Sequence, residues 1–394
     1  MIFQTLDDKS QCVGLYADGQ LFFDDIPDEI TKTWKYTGSL KDADVQYAWL
    51  MTQGASLMEA APDHLRERLE HAQKRLRAYV RSFSLAKINL RDHCIFDLVP
   101  QDFLKEFCEI KNQITAHVFE TYEKPECYDH LSRVHKLLFK LKYQNLNLNS
   151  TDCKRLFMSS IVHAHAKKLL AGPHHVDYNL FGTITGRLAT YPNSFPILTL
   201  QRGLRKLIKP HNDWLISLDY NGAELRTLLA LSAQEQPAED IHEWNMKNIF
   251  ELSLTREEAK TTIFSWLYNP DSKNITTDVY NRDTLLKEYY DNGYLTTPFG
   301  RHLSVDRRRA FNYLIQSTTA DIVLDRAVAI DKALEGTDSW VSHIVHDEIV
   351  LDMTDKDRKL IPEIKKLFAT NMLDTFIVNL KAGRDYLDLK DLKL

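Results

Sequence analysis

The alternation of apolar and polar positions changes along the chain and separates three kinds of segment. Residues 1 to about 60 contain short alternating runs such as CVGLYADGQLFF, in which Asp18-Gly19 predicts a hairpin turn. From Asp63 to Phe83 apolar residues recur at helical spacing, and more helix is expected up to about residue 145. After about residue 210, compact strands and helices alternate, which favours one continuous mixed α/β enzyme body.

The helix predicted from Asp63 to Phe83 is amphipathic. Its apolar stripe contains Leu65, Leu69, Leu76, Val80 and Phe83, and its other faces carry Arg66, Arg68, Lys74, Arg75, Arg77 and Arg81. A solvated face on a packed helix explains this pattern, and so does a helix that follows a phosphate backbone. The pattern alone leaves both interpretations open.

The bulk composition is that of an ordinary folded protein. Of 394 residues, 44% are apolar and 27% charged, and the net charge of −5 gives no overall basic character. Five cysteines without a CxxC pair favour reduced thiols in an intracellular compartment. Neither a secretory leader nor a run of membrane-spanning length is recognisable. We therefore expect a soluble, cytoplasmic protein with no membrane partner.

The segment HIVHDEIVLDM, residues 343–353, reads as two short strands joined by a tight turn. This turn contains no Gly, Asn or Pro, and it places Asp347 and Glu348 side by side among apolar residues. On a solvent-facing turn such acids would need no explanation. A third carboxylate nearby would instead require a cation.

Asp219 is the candidate partner, because it ends the apolar strand WLISLD. Taken alone, an acid in this place also fits the N-cap of a following helix. Carboxylates brought together repel one another unless cations neutralise them, and oxygen ligands favour Mg²⁺ or Mn²⁺. Two such ions about 3.5–4 Å apart suit phosphoryl transfer. His163, His165, His174 and His175 match no common zinc spacing.

The segment TREEAKTTIFSWLYNP, residues 255–270, predicts a helix with a capping box from Thr255 to Glu258 and an end at Asn269-Pro270. Its four residues of interest recur every fourth position, on one face about 18 Å long; they are Arg256, Lys260, Phe264 and Tyr268. Two cations followed by two aromatic rings suit a ligand with phosphates at one end and a base at the other. An amphipathic helix with an aromatic core stripe explains the same spacing.

Six ordered segments resemble motifs of the family A DNA polymerases, the DNA polymerase I type. SLDYNGAELRTLLALS and VHDEIVLDM resemble the two palm motifs that carry acids, and REEAKTTIFSWLY resembles the fingers-helix motif. TITGRLATYPN, GYLTTPFGR and RRAFNYLIQSTTADI resemble three further motifs in the expected order, and LNLNSTDCKRLF is similar to a segment near the thumb. The resemblance covers roughly residues 146–353.

The resemblance implies a role for each matched residue. Asp219 and Asp347 would hold two Mg²⁺ ions (Mn²⁺ can substitute), with the Tyr220 carbonyl as a further ligand and Glu348 supporting the site. For the dNTP, it implies triphosphate binding by Arg256 and Lys260, ring contacts by Phe264 and Tyr268, and sugar selection by Glu224; His346 matches the histidine beside the catalytic acid. Primer–template DNA would be gripped by Arg187, Arg308, Asn312 and Gln316.

The implied fold is α/β (α+β): a right-hand palm, fingers and thumb polymerase with an antiparallel palm sheet. We expect a small β-rich region in 1–60, thumb and adjoining helices in 61–180, palm in 181–235 and 291–394, and fingers in 236–290. The fingers are reduced, because only 25 residues lie between Tyr268 and Tyr294 and Asn269 replaces the usual glycine. Too few residues precede the basic helices for a proofreading domain, so neither a 3′–5′ exonuclease nor a 5′ nuclease is expected.

The expected activity is DNA-templated DNA synthesis, with primer–template DNA and dNTPs as partners. DNA affinity should depend on local basic clusters; these are Arg202, Arg205, Lys206 and Lys209, and Arg301, Arg307, Arg308 and Arg309. Two rival hypotheses are a single-subunit RNA polymerase, which Glu224 argues against, and a non-catalytic DNA-binding relative. A phage, plasmid or repair context is inferred from size alone, and separate replication or nuclease proteins are candidate partners.

Overall fold

The computed structural model describes residues 1–7, 12–23, 27, 29–90, 92–151, 153, 159–272, 275, 277 and 279–393. The chain forms two compact units, Met1–Tyr143 and Gln144–Leu394. This boundary falls inside the range 61–180, and the assignment of thumb, palm and fingers stays a prediction. Residues 152 and 154–157 of the segment LNLNSTDCKRLF lie outside the described residues.

The unit Met1–Tyr143 consists of short strands followed by helices. Its strands are β1 (Phe3–Asp7), β2 (Cys12–Ala17), β3 (Gln20–Phe22), β4 (Lys32–Thr33) and β5 (Gln46–Tyr47), and its helices are α1 (Ala48–Met51), α2 (Leu57–Ala60), α3 (Asp63–Leu85), α4 (Ile95–Leu98), α5 (Gln101–Thr121) and α6 (Tyr128–Lys142).

Strands β1, β2 and β3 form an antiparallel sheet, and β4 and β5 form a parallel pair. Asp18 and Gly19 make the turn between β2 and β3, both with positive φ, so the predicted hairpin is confirmed. A parallel bridge between Ile2 and Lys32 places β4 beside β1. The strands therefore lie side by side in the order β3-β2-β1-β4-β5.

Helix α5 packs on these strands and shares their core. Leu6, Tyr16 and Cys108 form one buried cluster, and the Tyr16 hydroxyl donates to Glu109 at 2.6 Å. The Gln4 side-chain amide donates to Thr115 at 3.2 Å. The β-rich residues and the helices that follow them are therefore one folded body.

The buried seam of α3 differs from the predicted stripe in its C-terminal half. Leu65 and Leu69 are buried as expected, but Val80 is 37% exposed. Tyr79 instead contacts Phe103 of α5, with ring centroids 5.1 Å apart. The prediction for Val80 was wrong because the partner helix meets α3 on the neighbouring row of side chains.

The basic residues of α3 make local ion pairs. Salt bridges join Arg66 to Asp63, Lys74 to Glu70 and Arg75 to Glu106. Three of the six basic residues of this helix are thus neutralised within the unit, which agrees with the interpretation as a solvated, packed helix. Contact of α3 with a phosphate backbone stays a prediction.

The unit Gln144–Leu394 is built around a larger sheet. Its strands are β6 (Asn147–Leu148), β7 (Tyr178–Asn179), β8 (Ala189–Thr190), β9 (Ile208–Lys209), β10 (Trp214–Tyr220), β11 (Tyr290–Asp291), β12 (Tyr294–Thr296), β13 (His302–Ser304), β14 (Trp340–Val345), β15 (Glu348–Met353), β16 (Val378–Gly383) and β17 (Lys390–Asp391). Its helices are α7 (Ser160–Ala171), α8 (Ala223–Leu231), α9 (Ile241–Asn248), α10 (Arg256–Tyr268), α11 (Arg282–Tyr289), α12 (Arg307–Ala333) and α13 (Ile361–Ala369).

Five strands form the main sheet in the order β14-β15-β10-β16-β17, with every neighbouring pair antiparallel. The antiparallel sheet and the hairpin of residues 343–353 were therefore predicted correctly. Tyr220 stacks on Phe368 of α13 with ring centroids 4.1 Å apart, so alternate residues of β10 face that helix. Asp219 and Ser217 point to the opposite face, where the candidate site lies.

The turn after β10 brings α8 and α9 together. Gly222 is the N-cap of α8 at φ +70°, and a Cβ there would lie 2.4 Å from Ile241. Only glycine satisfies both constraints. The predicted N-cap alternative for Asp219 is thereby excluded, because a glycine holds that position.

Arg226 of α8 is fully buried and organises the loop that leads to α9. It donates to the backbone carbonyls of Asn221, Pro237 and Glu239. Burial lowers the pKa of Arg226 to about 10. Its charge is solvated by peptide dipoles in place of water, which fixes the path of the loop.

Helix α10 begins and ends where the sequence predicts. Thr255 and Glu258 form a complete capping box, and Asn269 is the C-cap. The guanidinium of Arg282 lies between the rings of Trp266 and Phe311, at 4.9 and 5.0 Å from their centroids, and donates to the carbonyl of Trp266. One cation thus ties the end of α10 to α12.

In the described part of the chain, no helix is long and apolar enough to cross a lipid bilayer.

Tyr178 closes the exposed edge of β14. Its hydroxyl donates to the carbonyl of Ile344 at 2.7 Å and accepts from the amide of the same residue at 2.8 Å. Tyr178→Phe should therefore lower the free energy of unfolding by about 1–3 kcal/mol, because it leaves two buried backbone groups unpaired. Urea unfolding measures the change, and Tyr294→Phe, whose side chain is exposed, is the matched control. Equal losses in the two variants would contradict the assignment.

Candidate active site

The strand register brings the three predicted acids to one end of the sheet. Asp219 of β10 is the direct cross-strand partner of Glu348 on β15, and Asp347 is in the turn immediately before β15. Directly paired residues of antiparallel strands point to the same face. The sequence prediction that these distant acids converge is therefore consistent with the fold.

Like charges and burial both act on Asp219. Burial, the charge of Asp347 and, more weakly, the charge of Glu348 raise the pKa of Asp219 to about 7, against a hydrogen bond from Asn379. Burial also raises the pKa of Asp347. Two half-buried carboxyl groups that oppose each other's ionisation form a donor set that a divalent cation would stabilise.

Glu348 is directed differently from the other two acids. Its Oε1 accepts a hydrogen bond from the Ser217 hydroxyl at 2.5 Å, and its Oε2 accepts one from the Tyr386 hydroxyl at 2.6 Å. Among the described residues, no group of three or more His, Cys, Asp or Glu side chains is arranged to hold a metal ion. The donor set for a cation is therefore Asp219 and Asp347, with Glu348 beside it.

The turn that carries Asp347 is strained at His346, which has φ +56°. A non-glycine residue rarely adopts this left-handed conformation. The turn directs His346 and Asp347 into the wall of one cleft. The lack of Gly, Asn and Pro that the sequence showed at this turn thus coincides with a backbone conformation that costs energy.

That cleft has a volume of about 330 Å³ and receives side chains from several elements. Its polar and aromatic lining consists of Arg187, Glu224, Phe264, Tyr268, Thr319, His346 and Asp347. Six of these seven were predicted as site residues, and Thr319 on α12 was not. The cleft is large enough for part of a nucleotide, and it lies next to the acid pair.

Glu224 is the centre of the polar lining. It is 7% exposed, forms a salt bridge with Arg187, and accepts a hydrogen bond from the Tyr268 hydroxyl. Burial raises the pKa of Glu224 in spite of these two partners. The carboxylate therefore joins α8 to α10 and fills the wall of the cleft between them.

The predicted face of α10 is present, although its two ends differ. Phe264 and Tyr268 stack with ring centroids 5.9 Å apart. Arg256 makes a two-pronged pair with Asp240, at 2.8 and 3.1 Å, while Lys260 is exposed and makes no salt bridge with the described residues. Arg256 is therefore already paired with a carboxylate, and its role toward a triphosphate stays a prediction.

His242 of α9 packs against this face of α10 and was not predicted. Its ring lies 5.8 Å from that of Phe264, and its buried Nδ1 has no partner among the described residues. Burial and the charges of Arg256 and Lys260 lower the pKa of His242 to about 4, although Asp240 opposes them. A histidine that follows a capping aspartate was the available signal, but only the fold shows that it faces α10.

Asn379 of β16 was also missed. It is the cross-strand partner of Asp219, and its side-chain amide donates to Asp219 Oδ2 at 3.3 Å. Lys381, on the same strand, has a charge that lowers the pKa of Asp219. No motif marked this strand, because its contribution depends on register across the sheet.

Eight of the fourteen predicted residues do not line the cleft. Asp219, Glu348, Arg256 and Lys260 are described above, and the other four are Asn312, Gln316, Arg308 and Tyr220. Asn312 and Gln316 lie on α12 ahead of Thr319, and the buried Oδ1 of Asn312 has no partner in the described part of the chain. Arg308, at the start of α12, is paired with Asp271 at the surface. The Tyr220 side chain turns away to bond the Phe368 carbonyl at 2.5 Å. Their roles toward DNA and metal stay predictions.

The basic clusters expected to bind DNA are largely paired. Arg301 forms a fully buried pair with Asp321. Salt bridges also join Lys206 to Asp388, Lys209 to Asp385, Arg308 to Asp271 and Arg309 to Asp306. Arg301 is therefore structural, and the Lys209–Asp385 pair is also largely buried. The surface pairs of Arg308 and Arg309 contribute little to stability, and their contact with DNA stays a prediction.

No family model matches the chain, but curated proteins do. Thermostable DNA polymerase I of Thermus filiformis is 27% identical over 308 residues, 64% of this chain and 36% of that protein. DNA polymerase I of Chloroflexus aurantiacus is 24% identical over 280 residues, 57% of this chain and 30% of that protein. The DNA polymerase of Mycobacterium phage D29 is 27% identical over 214 residues, 41% of this chain and 35% of that protein. The chain spans about a third of the length of these relatives.

Among solved structures, the POL domain of Pol1 from M. smegmatis, in complex with DNA primer-template and dNTP, is similar in fold. It covers 91% of this chain and 86% of its own, with a TM-score of 0.62 and 14% sequence identity. The α/β polymerase-domain fold is thereby confirmed. With the sequence relatives, it also confirms the resemblance to the polymerase module of family A, DNA polymerase I-like proteins.

The raised pKa of Asp219 predicts an unusual pH dependence of stability without divalent cations. The pKa of Asp219 in the folded state lies above the ordinary 3.8, so folding favours the protonated carboxyl group. The stability that comes from this protonated form is fully present below pH 3.8 and is lost as the pH rises through about 7. In a chelator at pH 8, Asp219→Asn should therefore be more stable than the wild type, by up to about 4 kcal/mol.

Thermal unfolding from pH 5 to 8 in EDTA tests this prediction, with the exposed Asp291→Asn as control. Adding Mg²⁺ at pH 8 should stabilise the wild type more than Asp219→Asn, because only the wild type keeps the full carboxylate pair. Identical pH profiles for wild type and Asp219→Asn would count against the electrostatic account.

Proposed function

We propose that this chain is a DNA-templated DNA polymerase that extends a primer 3′-OH with dNTPs and releases pyrophosphate. The observation that carries the proposal is the convergence of Asp219 and Asp347 beside a cleft lined by Glu224, Phe264 and Tyr268. The relatives are DNA polymerases in which the matched segment is about a third of the protein. The proposed activity of this chain therefore rests on the segment that it shares with these relatives.

The acid pair supplies the first part of the chemistry. Asp219 and Asp347 would hold two Mg²⁺ ions, or Mn²⁺, which when bound activate the attacking hydroxyl and stabilise charge on the leaving oxygen. Asn379 holds the Asp219 carboxylate by a hydrogen bond. The carbonyl of Tyr220, the next residue along β10, is proposed as a further ligand.

Helix α10 and α9 would bind the triphosphate. Lys260 is exposed and ready to make a charge-assisted contact. Arg256 is held by Asp240 until a phosphate replaces that carboxylate. The charges of Arg256 and Lys260 both act on His242, and a triphosphate bound to them would raise the pKa of His242 and could accept a hydrogen bond from its ring.

The aromatic end of α10 would receive the base and sugar. The stacked rings of Phe264 and Tyr268 offer flat apolar surfaces to the incoming nucleotide and the nascent pair. Glu224 fills the adjacent wall and is locked there by Arg187 and Tyr268. Such a fixed, buried wall leaves no room for a 2′-hydroxyl, which favours deoxyribonucleotides over ribonucleotides.

Primer and template contacts are proposed for the remaining residues. Arg187 lines the cleft and forms a salt bridge with Glu224, which supports a contact between its guanidinium and the primer end. Asn312 and Gln316 follow one another by one turn of α12, and the unpaired Oδ1 of Asn312 can accept a hydrogen bond. Arg308 can exchange Asp271 for a phosphate.

We further propose that the chain has no 3′–5′ exonuclease activity. A primer with a 3′ mismatch, incubated with Mg²⁺ and no dNTPs, should therefore keep its length. Shortening of that primer would overturn this part of the proposal.

Asp347→Asn should abolish primer extension, with a loss of at least about 1000-fold, because it removes half of the carboxylate pair. Binding to primer–template DNA should change little, since cationic side chains supply most of it. A labelled primer-extension gel and fluorescence anisotropy measure the two properties, with Asp291→Asn as control. Near-normal extension by Asp347→Asn would contradict the metal assignment.

The same assay separates the rival functions. A wild-type protein that binds primer–template DNA but never lengthens the primer with Mg²⁺ or Mn²⁺ would be a non-catalytic relative. Preference for rNTPs over dNTPs would instead indicate an RNA polymerase.

Glu224→Ala should raise the ratio of ribonucleotide to deoxyribonucleotide incorporation by about 10- to 100-fold, because it opens the wall of the cleft to a hydroxyl group. Glu224→Gln keeps the volume and should keep most of the discrimination. Single-nucleotide incorporation with matched rNTP and dNTP measures the ratio, and Glu243→Ala, an exposed acid on α9, is the control. An unchanged ratio in Glu224→Ala would show that another residue selects the sugar.

A further inference from the structure

Both oxygens of the Glu348 carboxylate accept hydrogen bonds from hydroxyl groups, and the two donors come from different parts of the chain. Ser217 belongs to β10, and Tyr386 follows β16, 38 residues after Glu348. The oxygen–oxygen distances of 2.5 and 2.6 Å are typical of hydroxyl donors to a charged carboxylate. Such bonds fix the direction of the carboxylate beside the acid pair.

The Tyr386 phenol is itself fixed from three sides. Its backbone amide donates to the Ile208 carbonyl at 3.0 Å. Its ring meets the edge of His343 with centroids 4.8 Å apart, and the Arg205 guanidinium lies 4.7 Å from its centroid. The side chain is 2% exposed. Burial and the Glu348 charge raise the pKa of Tyr386, so its hydroxyl remains a donor.

The turn that carries Tyr386 is also braced. Asp385 accepts hydrogen bonds from the amides of Leu387 and Asp388, at 3.0 and 2.8 Å, and forms a salt bridge with Lys209. Tyr386 is therefore built into a rigid segment, and its hydroxyl can act as a fixed point for a neighbouring group.

We propose that Tyr386, together with Ser217, is a positioning residue that holds the Glu348 carboxylate beside, and separate from, the Asp219–Asp347 pair. This inference rests on the proposed polymerase function. Three carboxylates at one end of the sheet repel one another, and without its two donors Glu348 would be free to rotate toward the other acids. The two hydroxyl groups keep Glu348 directed along the sheet, which leaves Asp219 and Asp347 available for cations.

The test is steady-state primer extension with the full chain, primer–template DNA, Mg²⁺ and a single correct dNTP. Tyr386→Phe removes only the hydroxyl and keeps the ring contacts with His343 and Arg205. It should lower kcat by about 10- to 100-fold, the value of a hydrogen bond to a charged group, with the dNTP KM unchanged within about twofold. Tyr128→Phe, which removes a buried hydroxyl bonded to the Tyr47 amide, should leave kcat at the wild-type level.

The decisive comparison repeats Tyr386→Phe in a Glu348→Gln background. If the tyrosine acts through Glu348, it should cause little further loss of kcat there. An equal loss in both backgrounds, or a wild-type kcat for Tyr386→Phe alone, would overturn the proposal while the polymerase function stands. Ser217→Ala acts on the other oxygen and should lower kcat in the same way, which keeps the test valid if Tyr386→Phe fails to fold. A wild-type protein that extends no primer would refute the proposed function itself.

Discussion

The pairing of β10 with β15 in a single register governs the candidate site. In that register Asp219 lies opposite Glu348, while Leu218 lies opposite Ile349 and faces the helix side of the sheet. A slip of one residue would turn Asp219 into the apolar layer and a leucine toward the cleft. Burial of the apolar face therefore fixes the position of the acids, and the free energy of the core holds repelling charges together.

Several other charges in this unit are held by the same balance between burial and partners. Glu224 is buried against Arg187, and Arg301 is buried against Asp321. Arg226 is buried against backbone carbonyl groups, with the charge of Asp240 nearby. Removing one member of such a set leaves an uncompensated charge in a medium of low dielectric constant. The polar groups around the cleft are thus as constrained as the apolar core, which explains how a small cleft can be rigid.

Local sequence patterns predicted much of the fold. The hairpin of residues 343–353, the capping box of α10 and the turn at Asp18-Gly19 depend on neighbouring residues, and each was predicted correctly. The error at Val80 arose because helical periodicity does not reveal which row of side chains the partner helix covers.

The candidate site was predictable where a motif contains the residue, and not where a contact depends on the assembled sheet. Asp219, Glu224 and Tyr268 were found from motifs, and the fold brings all three near the cleft or its edge. His242 and Asn379 reach the site only through helix packing and strand register. The pairing of basic residues with acids could not be predicted either. Arg301 and Asp321 are 20 residues apart in the chain, and only the folded structure brings them into contact.

The central place of β10 has a consequence for how the protein is made. Its two neighbours, β15 and β16, both follow it in the chain, and the contact between Asp219 and Asn379 spans 160 residues. During synthesis on the ribosome, β10 leaves the exit tunnel with both edges unpaired. Its apolar residues stay unpaired until β15 and β16 have been translated. Such non-local pairing is slow and exposes the nascent chain to aggregation. Nascent chains that stop short of β16 would lack one side of the central strand.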